Sequence, residues 1–365
     1  MKLAIILKNK LESVDTILPL AFSLKPNECI FFCQNEKHYN ILKKNIFIFD
    51  QLKIIGDIKI ISKKENFFLS KIFNLLFLFR LLGLFLNGYK IIHFGKLDRF
   101  PLNIFYLFFS SKIIFSQSNS YFDDRVDFKN ILKNKFPQKK TSSKNVLVFN
   151  EQSEKIFSSK KTKNLFLTGA PRFYKDWQKN LFDQSKNYIK NFHPEINENE
   201  KFISFFISSL NHENFLDNRY YDEIIDDILS SINTLYPKIK ILIKPHPTTR
   251  QYKLDQIINN KKYKNIILTY LQPNLILIRS LLSITELFGT VMIDANKLGI
   301  TTVEYTKYDN ETLNITNSNS LGDKHIDYFI NFKKDDLKNI LQKKITSKRK
   351  EISYLNTEFV KFINN

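Results

Sequence analysis

The chain predicts an α/β fold built as two doubly wound, parallel-sheet domains. Three observations carry that expectation. Its 365 residues suffice for two domains at roughly 100–200 residues each. Short β-rich apolar runs alternate with longer helical patterns, as parallel strands and crossover helices require. The sharpest polar motif, KPHP at residues 244–247, follows an apolar run directly, where open α/β sheets hold their ligands.

The strands of the first half are expected at Lys2–Leu7, Glu28–Cys33, Ile58–Ile61, Lys90–Phe94 and Lys112–Ser116, with Asn145–Phe149 as a last one. Each is a short run rich in Ile, Leu, Val or Phe, bounded by polar residues. Phe67–Leu86 and Leu102–Phe109 are long enough for crossover helices. A second alternating set begins near Leu165, with strands at Leu165–Thr168, Phe202–Ile207, Ile239–Ile243, Ile266–Leu268, Leu281–Ile284 and Thr302–Tyr305. Asp217–Tyr236 carries Ile224, Ile225, Ile228, Leu229 and Ile232 at helical spacing. Val291–Leu298, Asp335–Leu341 and Lys350–Phe362 complete the expected helices. The domains are therefore expected at residues 1–155 and 165–345, with a C-terminal helix within 346–365.

Residues 67–86 read FFLSKIFNLLFLFRLLGLFL, about long enough to cross a bilayer core. Lys71, Asn74 and Arg80 interrupt the run, and a central Arg is costly in lipid. A buried core helix is the first expectation and a helix resting on the inner membrane leaflet the second, helped by the surrounding lysines. The apolar start, MKLAIIL, is too short for a secretory signal and reads as a first buried strand.

Lys and Arg number 56 against 36 Asp and Glu, leaving a net charge of +20. An AT-rich coding sequence enriches Lys, Asn, Ile and Phe together, so drift and a selected anionic partner both explain that balance. No helix-turn-helix, RNP or Cys/His-finger pattern points to nucleic acid, and no nucleic-acid partner is expected. With 35 Phe and 16 Tyr the chain is too apolar for disorder. Cys29 and Cys33 have no second ligand pair for zinc and suggest a reducing, cytoplasmic setting.

The chemistry concentrates in two segments. In ILIKPHPTTR, from Ile241 to Arg250, a strand runs into a loop holding Lys244, His246 and Arg250. Pro245 and Pro247 restrict the backbone on either side of the imidazole, and a fixed imidazole between two cations suits a phosphate oxygen. In the second, Ser283 to Tyr305, a strand is followed by a turn at Gly289-Thr290, a helix, Gly299 as its stop and another strand. Gly289 and Thr290 would offer backbone N–H groups and a hydroxyl at a helix N-terminus, an anion site; the plainer alternative is that Thr290 only caps the helix.

A KPHP strand end followed by T-E-x-x-G-T-x-x-x-D-A-x-x-x-G-I-x-T-V resembles the nucleotide-binding half of GT-B glycosyltransferases. It is closest in pattern to sialyltransferase-like and CDP-glycerol glycerophosphotransferase-like surface-carbohydrate enzymes. LTGAPRF at 167–173 is similar to a T-G-x-P-R-F/Y stretch of surface-polysaccharide proteins. The resemblance covers residues 165–310, and where the family carries Ser-Ser or Ser-Thr this chain has Gly289-Thr290.

The resemblance implies a GT-B type architecture, two Rossmann-like domains facing a central cleft. It also implies a metal-independent glycosyltransferase that uses a nucleotide-activated, CMP- or CDP-linked donor as substrate and no further cofactor. Lys244, His246, Pro247, Arg250, Gly289 and Thr290 would hold the donor phosphate, with Arg172 as a further phosphate contact, a bridge between the domains or a structural ion pair. Glu286 or Asp294 would meet ribose or orient the turn, and Glu304 is a weaker ribose candidate. The base is expected from the first domain: Asp123 and Asp124 in YFDDR, where the family's following Gly is Arg125, or His93 near a strand end. The acceptor implied is an envelope glycan or glycolipid, in capsule, lipopolysaccharide or other surface-polysaccharide synthesis, reached from the inner face of the cytoplasmic membrane. A nucleotide-sugar epimerase on the same fold and a non-catalytic partner subunit are the alternatives.

Overall fold

The computed structural model describes residues 1–62, 67–118, 141–157, 162–207, 220–246, 256, 263, 265–343 and 352–365, with the backbone alone at residues 12, 67–74 and 221. They form two parallel sheets. The first has seven strands, β1 (Lys2–Ile6), β2 (Glu28–Asn35), β3 (Asp57–Ser62), β4 (Lys90–His93), β5 (Ile113–Ser116), β6 (Asn145–Val148) and β7 (Asn164–Leu167), in the order β3-β2-β1-β4-β5-β6-β7. The second has six, β8 (Phe202–Ile207), β9 (Ile241–Pro245), β10 (Ile266–Leu268), β11 (Ser280–Thr285), β12 (Thr301–Thr306) and β13 (Tyr328–Asn331), in the order β10-β9-β8-β11-β12-β13.

A parallel strand has helices on both faces, so its side chains are apolar in both directions rather than alternately. The LAII of β1 and the FISFFI of β8 are buried throughout, which is why such unbroken runs mark strands here. In both sheets the order reverses beside the first strand, β1 or β8, the mark of a doubly wound sheet.

The covering helices follow from their apolar spacing. Tyr221–Leu235 buries Ile224, Ile225, Ile228, Leu229 and Ile232 against Phe205, Ile243 and Ile284 of the second sheet. Lys334–Gln342 adds Leu337 and Leu341 to the same core. Phe67–Leu86 is one helix of 20 residues, and it turns Phe77, Leu81 and Phe85 onto Ile6, Phe32 and Ile91 of the first sheet. One side of this helix is thus core, as first expected. Among the described residues, no helix is long and apolar enough to cross a membrane.

The chain divides into two compact units, residues 1–178 with 352–365, and residues 179–351. This differs from the boundary expected between 155 and 165. The strand expected to open the second domain, β7, instead pairs with β6 in register Val146↔Leu165 and closes the first sheet. The C-terminal segment also returns to the first unit: its helix runs Thr357–Asn364 rather than Lys350–Phe362, starting where the Asn356 side chain accepts the Phe359 N–H at 3.0 Å. Phe359 is buried against Phe166 of β7, with ring centroids 5.3 Å apart. Strand β13 was not expected, because its short YFIN run is only partly buried at the sheet edge.

Trp177, the chain's one tryptophan, is fully buried in the first unit, 5.3 Å edge-on from Phe22 and 5.9 Å from Phe47. Its emission therefore reports that unit, and is expected to be blue-shifted in the native protein and to move red on denaturation. Phe47→Ala should lower the denaturation midpoint of that signal by an amount equal to about 3–5 kcal/mol; an unchanged midpoint would place Phe47 outside the core.

Candidate functional site

The site residues of the second unit are set by strand register. Lys244 of β9 pairs with Phe206 of β8, and Phe206 pairs with Thr285 of β11. Neighbouring strands lie about 4.8 Å apart, so Lys244 and Thr285 stand about 10 Å apart astride Phe206, at the carboxyl edge of the sheet. This is also where the strand order reverses, between β8 and β11, the place at which open α/β sheets leave a ligand crevice. The two motifs read from the sequence, which begin about 40 residues apart at Ile241 and Ser283, are thus side by side at one sheet edge.

His246 follows β9 directly. Its backbone N–H donates to the Ile207 carbonyl at 2.8 Å, which extends the ladder and fixes the backbone under the imidazole. Its side chain is exposed, while Lys244 is half-buried. Pro247 and Arg250 lie outside the described residues.

The turn after β11 is held from beneath. The Thr285 hydroxyl lies 3.0 Å from the Phe206 carbonyl and 2.8 Å from that of Leu287, and accepts the Leu287 N–H. The next N–H, of Phe288, donates to Glu304 Oε1 at 2.8 Å. Glu304 is fully buried in β12 and also accepts the hydroxyls of Tyr308 and Ser320, each at 2.5 Å. Burial and this carboxylate push the Tyr308 hydroxyl well above its ordinary pKa, so it stays a donor. The ring of Phe288 fills the space over Gly322, where a Cβ would come within 2.0 Å of it.

From this turn the helix Thr290–Lys297 departs. Gly289 is its N-cap, in extended backbone (φ −151°, ψ 170°), and no side chain caps the first turn. The helix start thus carries the partial positive charge of N–H groups left for solvent or an anion. Thr290 is half-buried, in the first turn itself. The cap alternative for Thr290 is not what the structure shows, since Gly289 occupies that position.

Glu286 and Asp294 are both buried. Glu286 directly follows β11, and Asp294 lies in the helix Thr290–Lys297. The Glu304 carboxylate is taken up within the second unit, by the Phe288 N–H and two hydroxyls. Sequence reasoning missed this hub of Glu304, Tyr308 and Ser320; its signal was a Glu within TTVEYT, a strand buried along its whole length.

In the first unit two candidates prove structural. His93 is fully buried, and its Nδ1 accepts the N–H groups of Gly95 (3.0 Å) and Leu97 (3.3 Å). Nε2 therefore carries the ring proton and donates it to the Tyr106 oxygen at 2.9 Å; Tyr106 in turn donates to Asp98 at 2.9 Å. An imidazole with both nitrogens engaged in the core is not placed to take a proton from an acceptor. Arg172 is likewise buried, paired with Asp15 at 3.1 Å and donating to Thr16 at 3.4 Å, both in the first helix, Leu11–Leu24. Of the roles expected for it, the ion pair is the one observed. Asp123 and Asp124 lie outside the described residues.

No family profile matches the chain, and no curated protein matches it in sequence. Solved structures do. The UDP-GlcNAc 2-epimerase of Methanocaldococcus jannaschii, in complex with UDP-GlcNAc and UDP, is similar at 16% identity and a TM-score of 0.56, over 100% of this chain and 98% of that one. The UDP-N-acetylglucosamine 2-epimerase of Rickettsia bellii is similar at 12% identity and a TM-score of 0.52, over 100% and 92%. Anabaena HepE, in complex with UDP and glucose, is similar at 10% identity and a TM-score of 0.50, over 93% and 89%. At such identities the likeness establishes the fold: α/β of the GT-B type, as the motifs implied.

Two outcomes follow from these placements. Arg172→Ala is expected to destabilise the first unit by about 3 kcal/mol, by stranding Asp15, while leaving nucleotide affinity unchanged; a lost affinity would return Arg172 to the donor site. Burial pushes the imidazoles of His38 and His93 down to about 4. Their stabilising effect is full above the unfolded value of about 6.5 and is lost as pH falls toward 4, because the unfolded chain then binds protons that the folded chain refuses. Thermal midpoints should therefore fall steeply below pH 6.5. His38→Gln should flatten that fall by about 1.4 kcal/mol per pH unit, one proton's worth; an equal slope in both proteins would refute the assignment.

Proposed function

We propose that the chain is a glycosyltransferase that moves a sugar, or a polyol phosphate, from a nucleotide-activated donor to an envelope glycan or glycolipid. The observation that carries this reading is the register that sets Lys244 and Thr285 astride Phe206, so that His246 and the turn leading to helix Thr290–Lys297 leave the same sheet edge. Together they bring two basic side chains and a helix start to one sheet edge, a setting that suits a phosphate. The similarity of KPHP and the TELFGT turn to surface-carbohydrate enzymes supports the transferase assignment and the setting in capsule or lipopolysaccharide synthesis. It also supports placing the protein at the inner face of the cytoplasmic membrane.

In this reaction an acceptor hydroxyl oxygen attacks the anomeric carbon, or the phosphorus of a polyol phosphate. The bond from that atom to the nucleotide's phosphate oxygen breaks, and the nucleotide leaves with the electron pair. His246, Lys244 and the helix N-terminus stabilise the charge that develops on that oxygen. The hydroxyl proton passes to a carboxylate, for which Asp123 and Asp124 are our candidates.

A second reading is a nucleotide-sugar epimerase, favoured by the fold likeness to two UDP-GlcNAc 2-epimerases. It needs no acceptor, and that separates the two. For the donor, the sequence motifs favour CMP- or CDP-linked compounds, whereas all three structural neighbours described above are uridine-nucleotide proteins by name or bound ligand.

The test is the thermal midpoint of the protein with CMP, CDP, UDP, GDP or ADP. A nucleotide at about 100 times its Kd should add about 2.7 kcal/mol. His246→Ala is expected to remove about 2 kcal/mol of binding, roughly thirtyfold in Kd. Conversion of UDP-GlcNAc to its C2 epimer without acceptor would replace the transferase reading with the epimerase. No shift with any nucleotide would leave the non-catalytic partner subunit.

A further inference from the structure

We infer that the first unit docks on an anionic lipid surface, through an apolar face shared by helix Phe67–Leu86 and the short helix Phe105–Phe109. The inward side of the long helix is core, but its opposite side is not polar. Leu75, Leu76, Phe79 (62% exposed) and Leu86 (73%) are exposed, and at 100° per residue they fall within one stripe. Gly83 lies in the same stripe, and a Cβ there would meet nothing within 4 Å. An apolar stripe left uncovered on the outer side of a helix leaves that side for a partner.

The second helix extends the stripe. Phe85 stacks on Phe109 at 4.4 Å and packs on Phe105 at 5.1 Å, so the two helices lie side by side over the same face of the first sheet. Beyond that seam, Leu107 and Phe108 are 77% and 74% exposed, and Phe100, just before, is 88% exposed.

Charge decides the kind of partner. From Phe67 to Lys112 the basic residues are Lys71, Arg80, Lys90, Lys96, Arg99 and Lys112, and the one acidic residue is Asp98. Asp98 is already engaged, accepting from Tyr106, Thr141 and the Ser142 N–H. Arg80 and Arg99 are exposed, and Lys112 donates to the Phe85 carbonyl at 2.7 Å, which holds its charge near the C-terminal end of the long helix. Apolar side chains rimmed by cations match the acyl boundary and headgroups of an anionic membrane. A second copy of this chain fits less well, because a two-fold contact would set one cationic rim against the other.

The surface is in the first unit and uses none of the nucleotide residues, so its test is separate. The protein is sedimented with vesicles of phosphatidylcholine alone and of an equimolar phosphatidylcholine–phosphatidylglycerol mixture. Binding is expected to the mixed vesicles only, and to weaken as salt rises. Phe79→Ser with Leu107→Ser and Phe108→Ser should lower it by about tenfold or more. Arg80→Glu with Arg99→Glu should lower it by at least about fivefold per charge. Unchanged Trp177 emission checks the fold of each variant, and an unchanged nucleotide-induced thermal shift keeps the second unit's reading apart. The proposal is overturned if the wild-type protein ignores the mixed vesicles, or if both variants bind as the wild type does. It is equally overturned if the wild type is a dimer that the triple substitution dissociates, which would make this face a self-association surface.

Discussion

A sheet of parallel strands cannot leave either face in water, and most of this molecule follows from that constraint. Every strand must be followed by a segment long enough to cross back over the sheet, and that segment must carry an apolar side. Hence the unbroken runs LAII and FISFFI, and hence helices such as Tyr221–Leu235 whose Ile and Leu residues recur every three or four positions. Polar groups that enter such an interior must bring their partners with them. Asn145 in β6 does so by donating to the Ser110 and Ile113 carbonyls, and Ser143 by bonding the Ile113 and Asn145 carbonyls.

Glu304 is the most demanding case. A carboxylate buried within a sheet is costly unless several donors converge on it. Here the donors come from the turn after β11 and from the segment around Ser320, so a single side chain ties both loops to the sheet. The rigidity that this confers is on the turn from which helix Thr290–Lys297 starts. A fixed helix start is what anion binding by backbone N–H groups requires, since those donors cannot adjust through side-chain rotation.

What was legible in the sequence was local. Apolar runs showed where strands lie, and the KPHP and TELFGT segments showed where strands end in polar loops. Strand pairing was not legible: the NLFL of β7 looks the same whether it joins the first sheet or opens the second, because the partner that decides the matter is 19 residues away in sequence at Asn145. The return of residues 352–365 was hidden for the same reason, its contacts being with Phe166 and Phe173. For site residues the missing quantity was burial. His93, Arg172, Glu286 and Asp294 have the right chemistry for catalysis or binding, and only packing reveals that they are enclosed. His246 stood out in the sequence because a strand and two prolines flank it there.

The order in which the chain leaves the ribosome gives the discontinuous first unit a particular history. Its seven strands are complete once β7 is made, yet the helix that covers β7 comes only after the whole of residues 179–351. In the finished protein the Asn356 side chain donates to the Leu167 carbonyl at 3.0 Å and the rings of Phe359 and Phe362 lie on Phe166. During synthesis that edge strand, with its open carbonyls and its phenylalanine, has no such cover, and it must wait while a second sheet is assembled. Edge strands in this condition are the places where nascent chains pair with each other. The C-terminal helix therefore acts as a late clasp, and the interval before it arrives is the period in which newly made molecules are most exposed to misassembly.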